Sequence, residues 1–486
     1  MADVGAVLAV AAVDLGATSG RVMLGRVGPN ELRLEQAARF ANDPVRVTEG
    51  GTTGLHWNVL ELYRNVLAGL GAAAHEEPAI TSIGVDSWAV DYALLRDGRM
   101  LGNPYHYRDE RTAASIEPVH RLVPPDRLYR QNGLQFLPFN SLYQLAVDRD
   151  TGTLDAADTL LLIPDLIAYW LTGRTVAERS NASTTGLLTL PDGTKQAGWN
   201  LSLIEQLGLP PRVFPKLVDA GTHLGPLLPS VASELGIAAS PTVTTVGSHD
   251  TASAVVAVPM QTGTSAYISC GTWGLVGVEL EHPVLSEESR AANFTNEGGV
   301  DGWVRYLHNV MGLWLLSESV RTWQRTGLDA SLPQLLAQAA AAPATAAVFD
   351  ADDPRFLAPG DMPSRIRDWY AEHDLPSPQS PVEFVRAIIE SLADAFAHSV
   401  RRAAQLSGQA VSSIHVVGGG SQNVLLCQLT ADRSGLPVFA GPVEATALGN
   451  VLVQARAHGA VSGDLESLRA LVAATFAPTR YDPRRR

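Results

Sequence analysis

Two turns of glycine and hydroxyl residues, about half a chain apart, constrain the fold of this 486-residue chain more than any other feature. The first turn, residues 16–20, follows the apolar run 7–13 and Asp14, and the second, residues 269–274, interrupts another apolar stretch. Because the β pattern resumes after each turn, the sequence predicts two matching hairpins. Glycine permits close backbone approach to a ligand, and hydroxyls with turn N–H groups form an anion site. We therefore expect a duplicated two-domain fold with ATP in the cleft between its halves.

Asp14 adds chemical information to the first turn, since a single glycine turn is more often structural than functional. A carboxylate at the end of a buried strand costs free energy unless something binds it. A hydrated Mg²⁺ fits, because this ion keeps several waters and takes one or two carboxylates together with phosphate oxygens. The sequence thus predicts a hydrated Mg²⁺ as the group bound near Asp14.

The composition excludes several classes of protein. The formal net charge is −14 and the longest basic run is the terminal 484–486, so no nucleic-acid partner is expected. The two cysteines lack metal-ligand spacing, which predicts neither a disulfide framework nor a zinc site. The apolar stretch 160–171 is interrupted by Pro164 and Asp165, so no membrane span is expected. The N-terminal residues lack the basic region of a signal peptide, and the expected location is cytoplasmic.

Strands and helices alternate along the chain, which predicts α/β layers. Strands are predicted at residues 32–41, 81–86, 242–247 and 414–417. Helices are predicted at residues 57–74, 164–171, 310–325, 382–406 and 424–433, the first of them capped by Asn58 with Glu61. We expect residues 1–248 to form an N-terminal domain with the first phosphate hairpin and the sugar side. Residues 249–486 then form a C-terminal domain with the second hairpin and an adenosine loop.

Three consecutive glycines follow the predicted strand 414–417 and precede a helix. A helix N-terminus after such a loop suits an anion or the flat face of a ligand. A plain strand-to-helix turn is the alternative, but it needs fewer glycines, and neither G-x-x-x-x-G-K-[ST] nor G-x-G-x-x-G occurs here. We interpret the loop as the adenosine contact, formed by Gly418, Gly419, Gly420 and Asn423.

The segment His249-Asp250-Thr251 places an acid at the start of a predicted helix, at the mouth of the same cleft. One interpretation is that Asp250 caps this helix. The other is that Asp250 is a general base that takes a hydroxyl proton during phosphoryl transfer, for which a carboxylate of ordinary pKa suffices. The two interpretations are compatible.

Asp86, Trp88 and Asp91 form a polar and aromatic cluster just beyond a strand end, where open α/β sheets usually bind ligands. Trp88 offers a stacking wall for the C–H face of a sugar, and carboxylates accept hydrogen bonds from sugar hydroxyls. The alternative is a core tryptophan with acidic loop residues, and from these residues alone it is the better explanation.

Longer stretches of the chain resemble the FGGY family of carbohydrate kinases, within the actin-like (ribonuclease H-like) superfamily, over nearly the full length. The stretches are DLGATSGRV from Asp14, GVDSWAVDYALL from Gly84, YRDERT from Tyr107, QFLPFNSLYQL from Gln135, SNASTTGLL from Ser180, SHDTASAV from Ser248, SCGTW from Ser269, NFTNEGG from Asn293, NVMGLWLL from Asn309, VGGGSQN from Val417 and AGPVEATALGN from Ala440. The resemblance implies two actin-like domains, ATP and Mg²⁺ as cofactors, and a sugar as acceptor.

The resemblance also implies roles for individual residues. Asp250 is implied as the catalytic base, with His249 and Thr251 on its substrate side and Ala89 in a sugar-contacting turn. Contacts to the nucleotide are implied for Ala17, Thr18, Ser19, Gly20, Arg21, Gly271, Thr272, Asn309 and Gly419. Two departures from the family pattern are Ala89, where relatives often have glycine, and Ser317, where some have glutamine.

Within the family, QFLPFN, SHDTASAV, NEGG, MGLWLL and AGPVEA are similar to members that phosphorylate L-rhamnulose at O1. The expected partners are therefore this ketose and ATP, with no membrane contact and a monomeric or homodimeric state. One alternative is a family member acting on L-fuculose, L-xylulose, D-xylulose or glycerol. More distant alternatives are an actin-like ATPase and a sugar sensor without kinase activity. The sugar-side motifs argue against the ATPase, and the intact Asp14, Asp250 and Thr272 set argues against the sensor.

Overall fold

The structure is a computed structural model that describes residues 7–191, 196–237, 241–328, 331–345 and 347–484. Strands and helices alternate along it, and the predicted α/β class is confirmed. The strands are β1 (Leu8–Leu15), β2 (Ser19–Gly28), β3 (Glu31–Ala41), β4 (Val45–Glu49), β5 (Thr52–His56), β6 (Ser82–Ser87), β7 (Tyr92–Arg96), β8 (Arg99–Met100), β9 (Thr159–Leu162), β10 (Ala177–Glu178), β11 (Leu217–Val218), β12 (His223–Pro226), β13 (Thr242–Thr244), β14 (Ser265–Cys270), β15 (Gly274–Leu280), β16 (Thr295–Gly298), β17 (Val304–Val310), β18 (Ser413–Val417), β19 (Val438–Ala440) and β20 (Thr479–Tyr481).

The α-helices vary in length from one turn to the 27 residues of α15. They are α1 (Val59–Glu76), α2 (Ile116–Leu122), α3 (Pro125–Asn132), α4 (Ser141–Asp150), α5 (Thr153–Ala156), α6 (Ile163–Thr172), α7 (Arg179–Ala182), α8 (Leu201–Gln206), α9 (Pro229–Leu235), α10 (Asp250–Val256), α11 (Glu287–Ala291), α12 (Trp314–Arg325), α13 (Leu332–Ala341), α14 (Met362–Glu372), α15 (Pro381–Ser407), α16 (Val424–Ser434), α17 (Ala445–Ala457) and α18 (Leu465–Thr475). Within the described ranges, none of these helices combines the length and the apolar character needed to cross a bilayer.

The chain divides by its contacts into two compact units. Unit 1 consists of Met1–Pro259, Leu280–Tyr306 and Ala445–Thr475, and unit 2 of Met260–Glu279, Leu307–Glu444 and Phe476–Arg486. By contacts, therefore, His249 and Asp250 belong with the first part of the chain, and two later segments join them there. The predicted domain boundary between residues 248 and 249 stays a prediction.

Each unit is built on the same arrangement of three strands. In unit 1, β1 pairs antiparallel with β2 and parallel with β6, within a sheet of order β12-β13-β6-β1-β2-β3. In unit 2, β14 pairs antiparallel with β15 and parallel with β18, with β19 and β20 following. Both predicted hairpins are confirmed, and the shared pairing pattern is what a duplicated fold requires.

Three local predictions are wrong, two of them about helix caps and one about the end of a strand. Asn58 is at the N-cap of α1, but its side chain makes no cap hydrogen bond. The N-cap of α10 is His249, so Asp250 is the first helical residue and does not cap the helix. The strand predicted at 242–247 ends at Thr244. The terminal residues 485–486 lie outside the described residues, while Arg484 Nε bonds to Asp432 Oδ2 at 3.0 Å.

α17 reaches the core of unit 1 from a segment close to the C-terminus. It packs on β1 and on α10. At the crossing with α10, a Cβ on Gly449 would lie 1.8 Å from the carbonyl oxygen of Ser253, so glycine is the residue that allows the two backbones to touch. Further along, Gln454 Nε2 donates to Ala11 O at 3.0 Å, which ties α17 to β1.

Gly449→Ala should destabilise unit 1, because the added methyl must push α17 away from α10. We expect the free energy of unfolding to fall by about 1–3 kcal/mol or more, measured by thermal and urea denaturation. Gly71→Ala in α1 is the matched control. Its Cβ would meet only Leu235 Cδ2, at 4.0 Å, so the better helix propensity of alanine should leave stability unchanged or slightly raised. Equal melting temperatures for the two variants would contradict the close crossing.

Candidate active site

The first hairpin holds Asp14 at the buried end of β1. Its Oδ2 atom lies 3.2 Å from Nε of Arg21, the residue opposite it on β2. The turn is closed by a hydrogen bond of 3.0 Å from Gly16 N to Ser19 O. Residues 17–19 are partly or fully exposed. The hairpin therefore presents its turn to solvent while its carboxylate is held behind it by a guanidinium group.

Asp86 lies beside Asp14, because the two residues are register partners on the parallel strands β1 and β6. Asp86 is completely buried, and Asn450 Nδ2 of α17 donates to its Oδ2 at 2.6 Å. Burial raises the pKa of Asp86 well above its ordinary value. The nearby Asp14 and Asp250 carboxylates add to this, whereas Asn450 and Arg21 lower it. The raised pKa favours the neutral form of Asp86 in the core beside Asp14, and the sugar contact predicted for Asp86 stays a prediction.

Trp88 belongs to a buried aromatic cluster that is organised by Asp91. Its ring centroid lies 3.9 Å from that of Trp57, and both indole N–H groups donate to Asp91 Oδ2, Trp57 at 2.6 Å and Trp88 at 3.2 Å. Tyr107 N donates to the same oxygen at 3.1 Å, and Gln144 Nε2 donates to Oδ1 at 2.8 Å. Trp88 is buried, so the residues favour a role in the core, and the predicted stacking on a sugar stays a prediction.

The turn that follows Trp88 is strained. Val90 has φ = 68°, and Asp91 N donates to Ala89 O at 2.9 Å, which closes a three-residue turn around a β-branched residue. Such a conformation is unfavourable for valine and persists only where neighbours enforce it. Thr184 Oγ1 accepts from Val90 N at 3.3 Å, and Ser141 Oγ donates to Val90 O at 2.5 Å. These bonds hold Ala89, which is partly exposed, at the tip of the turn.

Glu178 fixes the backbone that leads into the His249 segment. Its buried carboxylate accepts four hydrogen bonds from two serines: Ser248 N and Oγ at 2.9 and 2.8 Å, and Ser180 N and Oγ at 3.0 and 2.5 Å. Ser87 N at the end of β6 donates to Ser248 O at 2.9 Å. The strand ladder of the sheet therefore continues into the chain just before His249.

Asp250 is the only residue of its segment with a substantially exposed side chain among residues 248–251, at 30% exposure. Its Oδ1 atom lies 3.4 Å from His249 Nε2 and accepts from Thr251 Oγ1 at 3.1 Å. Both neighbours thus contact the same oxygen, and Oδ2 is the oxygen left for another group. A partly exposed carboxylate held in this way can act as a general base.

A buried ion pair lies behind His249. Arg305 is completely buried; its Nη2 donates to His249 Nδ1 at 3.0 Å and lies 3.1 Å from Glu297 Oε2, while its Nε donates to Gly298 O at 2.9 Å. Burial would raise the pKa of Glu297, but the nearby positive charge of Arg305 and the close approach of His249 outweigh it and hold this pKa below its ordinary value. Glu297 is therefore an anion that balances the Arg305 charge.

Unit 1 also contains a cavity of about 520 Å³ next to this ion pair. Glu297, Glu178 and Trp303 line it, together with Arg179, which is paired with Asp219 at 2.7 Å. None of the residues predicted to bind sugar or nucleotide lies on its wall. The cavity is thus separated from His249 by Glu297, which lines the cavity and also contacts His249. The residues predicted to contact the sugar do not line it.

In unit 2, the second hairpin is tied to the start of α12. Leu313 N donates to Gly271 O at 3.0 Å, and Trp314 N donates to Thr272 O at 3.1 Å. Gly312 has φ = 60°, and a Cβ there would lie 2.4 Å from the hairpin backbone. The turn with Gly271 and Thr272 is thus held by backbone contacts, with Thr272 partly exposed.

The glycine loop packs against the strand that leads into this hairpin. A Cβ on Gly418 would lie 2.9 Å from Cys270 O, and one on Gly420 would lie 2.2 Å from Cys270 Sγ. Only Gly419 faces open space. The side chain of Asn423 caps α16 through a backbone N–H of its first turn. Close packing therefore explains Gly418 and Gly420, and Gly419 is the position where a ligand has room.

The predicted residues fall into two groups. Unit 1 contains Asp14, Ala17, Thr18, Ser19, Gly20, Arg21, Asp86, Trp88, Ala89, His249, Asp250 and Thr251. Unit 2 contains Gly271, Thr272, Asn309, Gly418, Gly419, Gly420 and Asn423, with Asn309 partly exposed on β17. The sequence analysis missed Glu178, Glu297, Arg305 and Asn450. Two of them, Glu297 and Asn450, lie inside stretches that carry the family resemblance, and this was a signal that they have a role.

Family comparisons agree with these observations. The N-terminal domain of the FGGY family of carbohydrate kinases matches residues 9–257, and its C-terminal domain matches residues 266–458. Together the two domains cover most of the chain. The chain belongs to the FGGY family of carbohydrate kinases, as the motifs predicted, and it is an enzyme that transfers a phosphoryl group to an alcohol acceptor.

Among curated relatives, the rhamnulokinase of Pectobacterium carotovorum is 42% identical over 484 residues, covering 99% of this chain and 94% of the relative. The rhamnulokinase of Bacteroides thetaiotaomicron is 39% identical, with 97% and 95% covered. Solved structures share the fold at lower identity. A ligand-bound xylulose kinase from Lactobacillus acidophilus has a TM-score of 0.76 at 17% identity, covering 98% of this chain and 94% of that one. A Plasmodium falciparum glycerol kinase with ADP has a TM-score of 0.76 at 14% identity, covering 99% and 95%.

Asp91 should make stability depend on pH. Burial raises its pKa to about 7, against hydrogen bonds that lower it, whereas an unfolded aspartate titrates near about 3.9. Between these values the folded state binds more protons, so the contribution of Asp91 to stability falls as pH rises from about 4 to about 7 and is then constant. Asp91→Asn removes this titration. The melting temperature of the wild type should therefore fall relative to Asp91→Asn between about pH 4 and about pH 7.

The control for this series is Asp97→Asn, whose side chain is 87% exposed. Its melting temperature should run parallel to that of the wild type at every pH, because this side chain is exposed and lies outside the buried hydrogen-bond network of Asp91. Parallel curves for Asp91→Asn and the wild type would show that Asp91 does not titrate in this range.

Proposed function

We propose that the enzyme transfers the γ-phosphoryl group of ATP to O1 of L-rhamnulose, giving L-rhamnulose 1-phosphate and ADP in the catabolism of L-rhamnose. The observation that carries this proposal is the 42% identity to a rhamnulokinase over nearly the whole of both chains. The arrangement around Asp250 supports it, because a partly exposed carboxylate with one oxygen already occupied suits a base for a sugar hydroxyl.

In the proposed reaction, Asp250 accepts the O1 proton while the phosphoryl group moves in line to that oxygen. Such a transition state is loose, so positioning and charge stabilisation supply most of the catalysis. His249, Thr251 and the Ala89 turn are the proposed sugar contacts, with Asp86 and Trp88 buried behind that turn. The extra methyl of Ala89, where relatives often have glycine, lies at the tip of a strained turn and would limit the size of the sugar accepted.

ATP is the proposed nucleotide, with Mg²⁺ as its metal ion. In unit 1, residues 17–21 would bind phosphate through the exposed turn; in unit 2, Gly271 and Thr272 would bind phosphate, and Gly419 the adenosine. Mg²⁺ neutralises charge on the phosphates when bound. Asp14 suits an indirect contact to the ion, because it is buried and paired with Arg21, so water is needed between them.

A cytoplasmic location is also proposed. Cys270 and Cys427 are both buried and free. Burial raises the pKa of the Cys427 thiol to about 12, and that of Cys270 is raised as well, so both remain protonated and unreactive. Free thiols of this kind suit a reducing compartment.

The test of the substrate is ADP release with Mg·ATP against L-rhamnulose, L-fuculose, L-xylulose, L-ribulose, D-xylulose and glycerol, beside a reaction without sugar. We expect kcat/KM to be clearly highest for L-rhamnulose. Best turnover on another sugar would keep the kinase reaction and reject the substrate. ADP release that no sugar stimulates would favour the ATPase or sensor alternatives instead.

Asp250→Asn should lose the base but keep the fold. We expect kcat to fall by about 10²–10⁴-fold with little change in ATP affinity, since general-base catalysis contributes on this order. Initial rates and isothermal titration with ATP would measure the two effects. Asp368→Asn, at an exposed position of α14, is the control and should behave as the wild type. Turnover within about threefold of wild type for Asp250→Asn would rule out its role as base.

A further inference from the structure

The buried contacts of His249 determine which of its two ring nitrogens carries the proton. Nδ1 lies 3.0 Å from Arg305 Nη2, which is always a hydrogen-bond donor, so Nδ1 must accept. Nδ1 also lies 3.3 Å from Glu297 Oε2, and this contact would need a proton on Nδ1. Glu297 Oε2, however, makes no hydrogen bond of proper geometry among the described residues. The Arg305 contact therefore decides the tautomer, and the proton of a neutral His249 is on Nε2.

An N–H at Nε2 faces the catalytic segment. Nε2 lies 3.4 Å from Asp250 Oδ1, the same oxygen that accepts from Thr251 Oγ1 at 3.1 Å. The Thr251 hydrogen bond and the facing Nε2–H group hold the carboxylate with Oδ1 towards His249. Oδ2 then remains as the oxygen that can take a proton.

We infer that Arg305 and Glu297 are positioning residues that keep the proton of His249 on Nε2 and so direct Oδ2 of Asp250 to the acceptor hydroxyl; the catalytic part of this inference rests on the proposed function. Arg305 supplies the donor. Glu297 supplies the negative charge without which a completely buried guanidinium would be very unfavourable. Gly298 O holds the Nε arm of Arg305 at 2.9 Å, so the guanidinium cannot rotate away from His249.

Several charged groups lie around His249 in the described part of the chain. Asp250 follows it on the chain, Glu297 comes from β16, Arg305 comes from β17, and Glu178 holds Ser248 just before it. Ser180 Oγ accepts from His249 N at 3.3 Å and fixes the backbone rather than the ring. The ring itself is thus oriented by Arg305 on one side and Asp250 on the other.

The first test reads the tautomer directly, without turnover. In protein labelled with ¹⁵N-histidine, long-range ¹H–¹⁵N spectra distinguish a protonated Nε2 from a protonated Nδ1, and the loss of a signal in His249→Gln assigns the residue. We expect the proton on Nε2 in the wild type at pH 7.5. A proton on Nδ1 would overturn the inference, whatever the enzyme turns over.

The second test removes the donor and its counter-charge together, in Glu297→Met/Arg305→Met, so that no unpaired charge remains buried. We expect the tautomer preference of His249 to be lost and kcat for L-rhamnulose to fall on the order of 10- to 100-fold, with KM for ATP unchanged, as for a misoriented base. The matched control is Glu466→Gln/Arg469→Met. It removes a second buried arginine, whose Nη1 lies 3.2 Å from Glu466 and whose Nη2 donates to Val255 O of the same α10 helix.

The outcomes separate the inference from the proposed function. A kcat equal to that of the control variant, with His249 still protonated on Nε2, would overturn the positioning role. A wild type that releases no sugar-dependent ADP would reject the proposed function, while its histidine spectrum still decides the tautomer. If the double methionine variant does not fold, Arg305→Lys replaces it: its single ammonium cannot bond to Gly298 O and His249 as the guanidinium does, and the same loss of kcat is expected.

Discussion

The parallel pairing of β1 with β6 places two buried carboxylates, Asp14 and Asp86, side by side. Repulsion between buried like charges is strong, so both cannot be ionised without compensation. Arg21 places a positive charge beside Asp14. Asp86 accepts a hydrogen bond from Asn450 and has a raised pKa, which favours its neutral form. At its end, β6 is joined by the Ser87–Ser248 hydrogen bond to the segment that leads into His249. The position of the proposed base therefore depends on the stability of this one strand pair.

The two units position their residues by different physical means. Unit 1 uses buried polar networks, in which Glu178, Asp91 and the Glu297–Arg305 pair each accept or donate several hydrogen bonds. Such networks specify a unique geometry, but they contribute little net stability because every buried charge must be desolvated. The hairpin and glycine loop of unit 2 are instead positioned by glycines that let backbones touch, at Gly312 and Gly418. Substitutions in the polar networks around His249 should therefore act through charge, and those at these two glycines through shape.

The elements defined by local pattern could be predicted from the sequence, and those defined by distant contacts could not. The hairpins, the α/β class and the family were all predicted, because turns, strand periodicity and motifs are local signals. Asn450 bonds to a residue 364 positions earlier, and Glu178 to one 70 positions later, and nothing local marks either pair. The prediction that Asp250 caps α10 is wrong for another reason. The helix starts one residue earlier than the pattern predicted, so the N-cap is His249, in extended conformation.

The close crossing of α17 with α10 has a consequence for how the chain folds as it is made. Unit 1 begins with the first strand of the protein, yet it lacks α17 and α18 until residues 445–475 have been synthesised. At translation rates of roughly 5–20 residues per second, the apolar face of α10 waits on the order of 10–40 seconds for α17, and that of β1 on the order of 20–90 seconds. Unit 2 likewise needs β20, close to the C-terminus. The last elements of both units are therefore synthesised at almost the same moment. A chain that stops before residue 445 would lack α17, α18 and β20 and would leave the cores of both units uncovered.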